Sequence, residues 1–247
     1  VVNEFKEKID NLIVISEKDD GLYDAWNKGV KLSNGGWLTF IGADDQYFNT
    51  ESLSIFAKSI VNDKKPFYYG KIACNGPSGN VTGYNGSKWL SPWSMKFHHF
   101  QIRLPFPIMT CIFNRKFIQN EIFDLDYKVV ADADLVLRCL KKWDGPPPVF
   151  IENDEALVRM GYGGISTNHR THILTLKEIY SVRKRNEISN FNFSLFYRTF
   201  KIHLLNSVYK LFGDKAALQL IKAYHRFKAI FIKLNKLPRL KYQNALL

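Results

Sequence analysis

Apolar residues recur at helical spacing at Leu22, Ala25, Trp26, Gly29 and Val30. That spacing predicts an amphipathic helix entered from the Asp19-Asp20-Gly21 turn, with Asp20 as its N-cap. Asn34-Gly35-Gly36 should end the helix, because glycine adopts the left-handed conformation without a Cβ penalty. Trp37-Leu38-Thr39-Phe40-Ile41 then reads as a strand, apolar enough to be covered on both faces. A further helix is expected from Glu51 to Asn62, with Leu53, Phe56, Ala57 and Ile60 turned inward. Pro66 to Ala73 and Asn80 to Tyr84 read as strands of a hairpin, joined through Asn75-Gly76-Pro77-Ser78-Gly79. Two more helices are expected, one opening at Asp132 and Asp134 and one over Asn168 to Asn190. Residues 1–10 read as the tail of a helix and Asn11 to Ile15 as a strand. Helices alternating with short strands place residues 1–190 in the α/β class.

The last stretch, 191–247, has a different pattern. Phe193, Phe196, Phe200, Leu204, Val208 and Leu211 fall on one helical face. Ala217, Ile221, Tyr224, Phe227, Phe231 and Leu234 fall on a second, for which Asp214 is the expected N-cap. Charge separates the same two regions. Residues 1–180 carry 21 Lys and Arg against 21 Asp and Glu, whereas residues 181–247 carry 14 against 2. The whole net charge of +12 therefore sits in the tail. A basic amphipathic helix rich in Phe and Leu suits an anionic membrane surface. Packing of the apolar faces on the domain or on each other is the other reading. No apolar run reaches the roughly 18 residues a spanning helix needs, and no nucleic-acid motif accompanies the basic residues.

A chain of 247 residues with 46% hydrophobic content can hold one α/β domain plus an appendage. Its three cysteines, Cys74, Cys111 and Cys139, are scattered and odd in number, which disfavours a disulfide framework or a zinc site and points to a reducing cytoplasm. No signal peptide opens the sequence, although a trimmed start would hide one.

Three motifs carry candidate chemistry. Asp44 and Asp45 follow the small residues Gly42 and Ala43 at the C-terminal end of a predicted strand, where open α/β sheets bind ligands. Two carboxylates there suit a hard divalent cation and a phosphate group, but a solvated turn capping the next helix would use the same residues. Asp132 and Asp134 occupy the first turn of a predicted helix, where the dipole favours carboxylates, so capping and catalysis are both open. Gly161-Tyr162-Gly163-Gly164-Ile165-Ser166-Thr167 is glycine-rich enough for a mobile lid or an ordinary surface turn.

Taken together, the segment from Ser16 to Gly29, the small residue and Asp pair at Ala43-Asp44-Asp45, the acidic pair ahead of Leu135-Val136-Leu137-Arg138, and Gly163-Gly164-Ile165-Ser166 resemble the family 2 glycosyltransferases of bacterial surface-polysaccharide synthesis. The resemblance implies a GT-A-like, Rossmann-like mixed sheet flanked by helices over residues 1–190, with residues 191–247 as a basic helical tail. It implies an inverting transfer of sugar from a nucleotide sugar, of the uridine diphosphate type, to a glycan or lipid-linked acceptor. Asp132 would be the general base. Asp45, with Asp44, would hold Mg²⁺ or Mn²⁺. Asp20, Lys28 and Asp44 would meet the donor, and Asp134, Gly163, Gly164 and Ser166 would belong to the acceptor side or the lid. The work would be cytoplasmic, at the inner face of the membrane.

The chain also departs from that pattern. The family opens with strand, helix and strand, the second strand carrying a base-binding carboxylate; here the first two strands are expected to be missing. Gly42 stands where the family often has Asp or Asn. Leu104 to Thr110 lacks the His and Gln of the family's acceptor-cleft run. Trp89, Trp93, His98, His99 and Phe100 suit either a sugar platform or core packing. A noncatalytic, membrane-associated protein that keeps the shape alone is the reading from a different class.

Overall fold

A computed structural model describes residues 2–76, 78–85, 106–162, 164–165, 171–188, 195–197 and 199–213, together with Gln219 and Ala223. The elements, in chain order, are α1 (Val2–Lys6), α2 (Leu22–Leu32), β1 (Trp37–Leu38), β2 (Gln46–Tyr47), α3 (Ser52–Ser59), β3 (Phe67–Tyr69), β4 (Ile72–Asn75), β5 (Val81–Asn85), β6 (Cys111–Asn114), α4 (Arg115–Ile118), α5 (Ala131–Lys142), β7 (Val149–Phe150), β8 (Val158–Met160) and α6 (His172–Arg185). Residues 195–197 and 199–213 are helical as well.

The α/β class holds, with the strands in two mixed four-stranded sheets, β1-β6-β3-β7 and β2-β8-β4-β5. In the first, β6 pairs antiparallel with both β1 and β3, while β3 and β7 run parallel. In the second, β8 pairs antiparallel with β2 and parallel with β4, and β4 with β5 forms the expected hairpin. The predicted strand from Pro66 to Ala73 is divided between the sheets at Gly70. A Cβ on Gly70 would lie 2.4 Å from Cδ1 of Leu157, so the bare backbone leaves that buried side chain its place where the chain crosses. Alternation then sends Tyr69 into the larger core and Tyr68 into the smaller one.

The larger core lies between the first sheet and helices α2, α5 and α6, and contains Tyr23, Leu38, Phe67, Phe113, Leu135 and Ile179 among others. Phe67 is fully buried, with rings of Tyr69, Phe106, Phe113 and Phe117 around it. The second core joins α3, through Phe56, to Ile72, Leu157 and Val158. Helix α3 is shorter than expected and rotated. Ser52 and Phe56 are buried, but Leu53 and Ala57 face outward.

Three other expectations are corrected. Asp20 does not cap α2: Gly21 is the N-cap, at φ 108°, where L side chains are strained. The backbone N–H of Asp20 instead donates to Oδ2 of Asp24, 3.1 Å away. At the other end no left-handed glycine terminates the helix. The guanidinium of Arg115 donates to the carbonyls of Val30, Ser33 and Gly35, supplying the partners that terminal carbonyls lack. Asn11 to Ile15 forms no strand: Ile13 and Ile15 are at least half exposed, and no strand lies beside them among the described residues. A strand without a neighbour cannot satisfy its backbone groups by pairing.

Candidate active site

Asp132 stands in the first turn of α5, at the end of a loop gripped from two helices. From α2, the hydroxyl of Tyr23 lies 2.9 Å from the carbonyl of Val129 and 3.3 Å from Oδ1 of Asp132, and its single proton is shared between the two acceptors. From α6, Glu178 accepts the backbone N–H groups of Lys128, Val129 and Val130. The Ala133 N–H donates to the same Oδ1 of Asp132 at 2.8 Å. Burial pushes the Asp132 carboxyl up to about 6, with the Glu178 charge adding to the rise and the bonds from Ala133 and Tyr23 opposing it. That is the range a general base needs near neutral pH.

Asn27, one turn beyond Tyr23, clamps the same region. Its Nδ2 donates to the carbonyl of Phe123, and its Oδ1 accepts the Phe123 N–H, both at 2.8 Å. Asn27→Ala leaves both buried backbone groups unpaired. The expected cost is about 3 kcal/mol, seen as a fall in Tm of roughly 10 °C in thermal unfolding.

The aspartate pair forms a second cluster. Asp44 is exposed and Asp45 partly buried. The Gly161 N–H donates to Oδ1 of Asp45 at 3.0 Å. Burial raises the Asp45 carboxyl above its ordinary range, and the neighbouring Asp44 charge contributes. The glycine segment folds directly onto the pair: a Cβ on Gly161 would sit 2.6 Å from the Asp44 carbonyl, and one on Gly164 would be 3.9 Å from Oδ2 of Asp44. Gly42 has a positive reason to be glycine, since a Cβ there would lie 2.7 Å from Oδ2 of Asp45. Gly163 and Ser166 lie outside the described residues, as do the Trp89 to Phe100 aromatics. No group of three or more His, Cys, Asp or Glu close enough to hold a metal occurs among the described residues. Two carboxylates nonetheless fit a magnesium-like ion, which takes one or two from protein and its other ligands from phosphate and water.

Of the predicted donor residues, Lys28 sits inside an acidic cluster. Lys28 donates into three carboxylates, with Glu17 and Asp19 at 2.7 Å and Asp24 at 3.1 Å. The bonds from Asp19 and Glu17 raise its pKa. It fastens the 17–19 turn to α2. Asp20 is exposed on that same turn. Asp134, expected on the acceptor side, is fully buried. Its Oδ2 accepts from Nε of Arg138 at 2.7 Å and lies 3.7 Å from Arg185, so it ties α5 to α6 and presents no oxygen to a substrate. Arg138 also pairs with Glu121, and Arg185 with Asp124. None of the hydrogen bonds or ion pairs among the described residues links the Asp44–Asp45 cluster to Asp132.

Comparison with known proteins identifies the class. Residues 1–123 match the family model for glycosyl transferase family 2. Through that stretch the chain is similar to the family 2 glycosyltransferases. It is 30% identical over 137 residues to the PGL/p-HBAD biosynthesis glycosyltransferases of Mycobacterium bovis and Mycobacterium tuberculosis, an alignment covering 53% of this chain and 48% of each relative. The chain thus spans about half the length of the curated relatives it matches. The crystal structure of S. aureus TarS superposes with a TM-score of 0.49 at 15% identity, over 85% of this chain and 35% of that one.

Residues whose roles sequence reading missed are Glu178, Gly161 and the pair Tyr23 and Asn27. A signal for Glu178 existed: it shares the stripe Thr175, Ile179 and Val182 on α6, an acidic residue on a buried helical face.

Proposed function

We propose that this chain transfers a sugar, with inversion, from a uridine diphosphate sugar to a hydroxyl of a glycan or lipid-linked acceptor in cell-surface polysaccharide or glycolipid synthesis. The observation that carries this reading is Asp132: a carboxylate mounted at the start of α5, held by Tyr23 and Ala133, with a pKa of about 6. Asp132 removes the acceptor proton as the oxygen bonds to the anomeric carbon. The bond from that carbon to the diphosphate breaks on the opposite face, and the nucleoside diphosphate leaves with the electron pair. Asp44 and Asp45 face the diphosphate, beside Gly161 and Gly164. A Mg²⁺ or Mn²⁺ ion held by the two carboxylates would supply counter-charge to that leaving group.

The tail supports work at an anionic membrane from the cytoplasmic side. Leu195 and Ile202 bury into the larger core, while Phe196, Phe200, Leu204 and Leu211 are exposed, in a stretch of sequence rich in Lys and Arg. No helix among the described residues is long and apolar enough to cross a membrane. The test is a transfer assay with a panel of nucleotide sugars and lipid-linked acceptors in phosphatidylglycerol vesicles. A glycosylated lipid whose formation requires Mg²⁺ or Mn²⁺ is expected, and it should form faster on anionic than on neutral vesicles. No product with any donor while nucleotide binding persists would favour a noncatalytic protein.

A further inference from the structure

We infer that Glu178 is a positioning residue for the base: its carboxylate, bound to three successive backbone N–H groups, fixes the loop that leads into the helix turn carrying Asp132. The inference rests on the reading of Asp132 as the base. Glu178 is 5% exposed. Its Oε1 accepts from Lys128 at 2.8 Å, and its Oε2 from Val129 at 2.9 Å and Val130 at 3.1 Å. A buried carboxylate carries a large desolvation cost unless its oxygens are well bonded. Here that charge is committed to backbone donors of one short loop, just before the N-terminus of α5, where the dipole also favours it.

The same peptide stretch is held from its other side. Tyr23 donates to the Val129 carbonyl while Glu178 accepts the Val129 N–H. One residue is therefore pinned at both backbone polar atoms, by side chains from α2 and α6, three residues ahead of Asp132. A carboxylate placed by packing alone could swing with its loop; this one is mounted on a peptide that two helices fix. Groups that act together at this level of geometry lose large factors in rate when displaced by even an ångström. Among the described residues, the charged and titratable groups facing Asp132 are Tyr23 from α2, Glu178 from α6 and Cys111 from β6, whose thiol burial pushes well up.

The experiment compares Glu178→Gln with wild type in steady-state kinetics across pH. Glutamine keeps the shape, but its NH₂ faces backbone donors and its charge is gone. We expect kcat to fall about 10- to 100-fold, the donor KM to stay within about twofold, and the acid limb of the pH–rate profile to move to lower pH. Tyr23→Phe should also lower kcat but move the limb the other way, because the lost hydroxyl bond favoured the ionised base. If Glu178→Gln does not fold, Glu178→Asp keeps the charge on a shorter stem and should show the kcat loss with little movement of the limb. Unchanged kcat and limb in a folded Glu178 variant overturns the inference, provided Asp132→Asn is inactive. An active Asp132→Asn overturns the base assignment itself, so the two failures are distinct.

Discussion

Asp132→Asn should lower transfer by about 10³-fold, in the range lost when a general base is removed, and yet make the protein more stable at neutral pH. The second half follows from linkage. The Asp132 carboxyl is pushed up to about 6 in the folded chain, against about 3.9 in an unfolded one. Between those values the folded state binds more protons than the unfolded state, so stability falls as pH rises through that window. At pH 7 the ionised Asp132 costs up to about 3 kcal/mol. Asparagine keeps an oxygen for the Ala133 and Tyr23 donors and has no charge to desolvate. Thermal unfolding at pH 7 should therefore show a raised Tm in the inactive variant, and the gain should vanish near pH 4. In wild type, kcat/KM should fall tenfold per pH unit below about 6. An Asp132→Asn variant that is less stable at pH 7 would contradict the raised folded-state pKa, and an active one would contradict the base assignment.

Asp45→Asn is expected to remove at least about 100-fold from kcat/KM for the donor, close to 3 kcal/mol of lost binding. Asparagine is the informative replacement. Its amide oxygen still accepts the Gly161 N–H that Asp45 accepts at 3.0 Å, so the local turn survives. If the pair serves only that turn, Asp45→Asn behaves as wild type and only Asp45→Ala suffers. If the pair grips a cation, both variants lose donor saturation, and raising Mn²⁺ from micromolar to millimolar recovers part of it. Donor kinetics at several metal concentrations separate the two outcomes.

Much of this arrangement was legible in the chain. Helix α2, the strand start at Trp37, the β4–β5 hairpin and the acidic opening of α5 all follow from local periodicity and turn chemistry. What periodicity could not show was which partner each group meets. Lys28 has the composition of a phosphate ligand, but Glu17, Asp19 and Asp24 surround it. Asp134 has the same local signal as Asp132, and only packing separates them: one lies buried against Arg138, the other receives a tyrosine hydroxyl. The glycines show the same limit. Gly35 and Gly36 do not end α2 in the left-handed form, because Arg115 from the following half of the domain takes the carbonyls. Gly42 stands where the family often has Asp or Asn, and its missing side chain leaves space beside the Asp45 carboxylate. Asn11 to Ile15 has strand composition and no neighbour to pair with among the described residues, so propensity there had nothing to act through.

The most direct measurement is a calorimetric titration of uridine diphosphate into the protein, with Mn²⁺ and then with chelator. Saturable binding at one site is predicted with Mn²⁺, lost on chelation and lost in Asp45→Asn. Absence of binding to wild type in the presence of Mn²⁺, or binding that neither chelator nor Asp45→Asn weakens, would contradict the assignment of Asp44 and Asp45 to the donor.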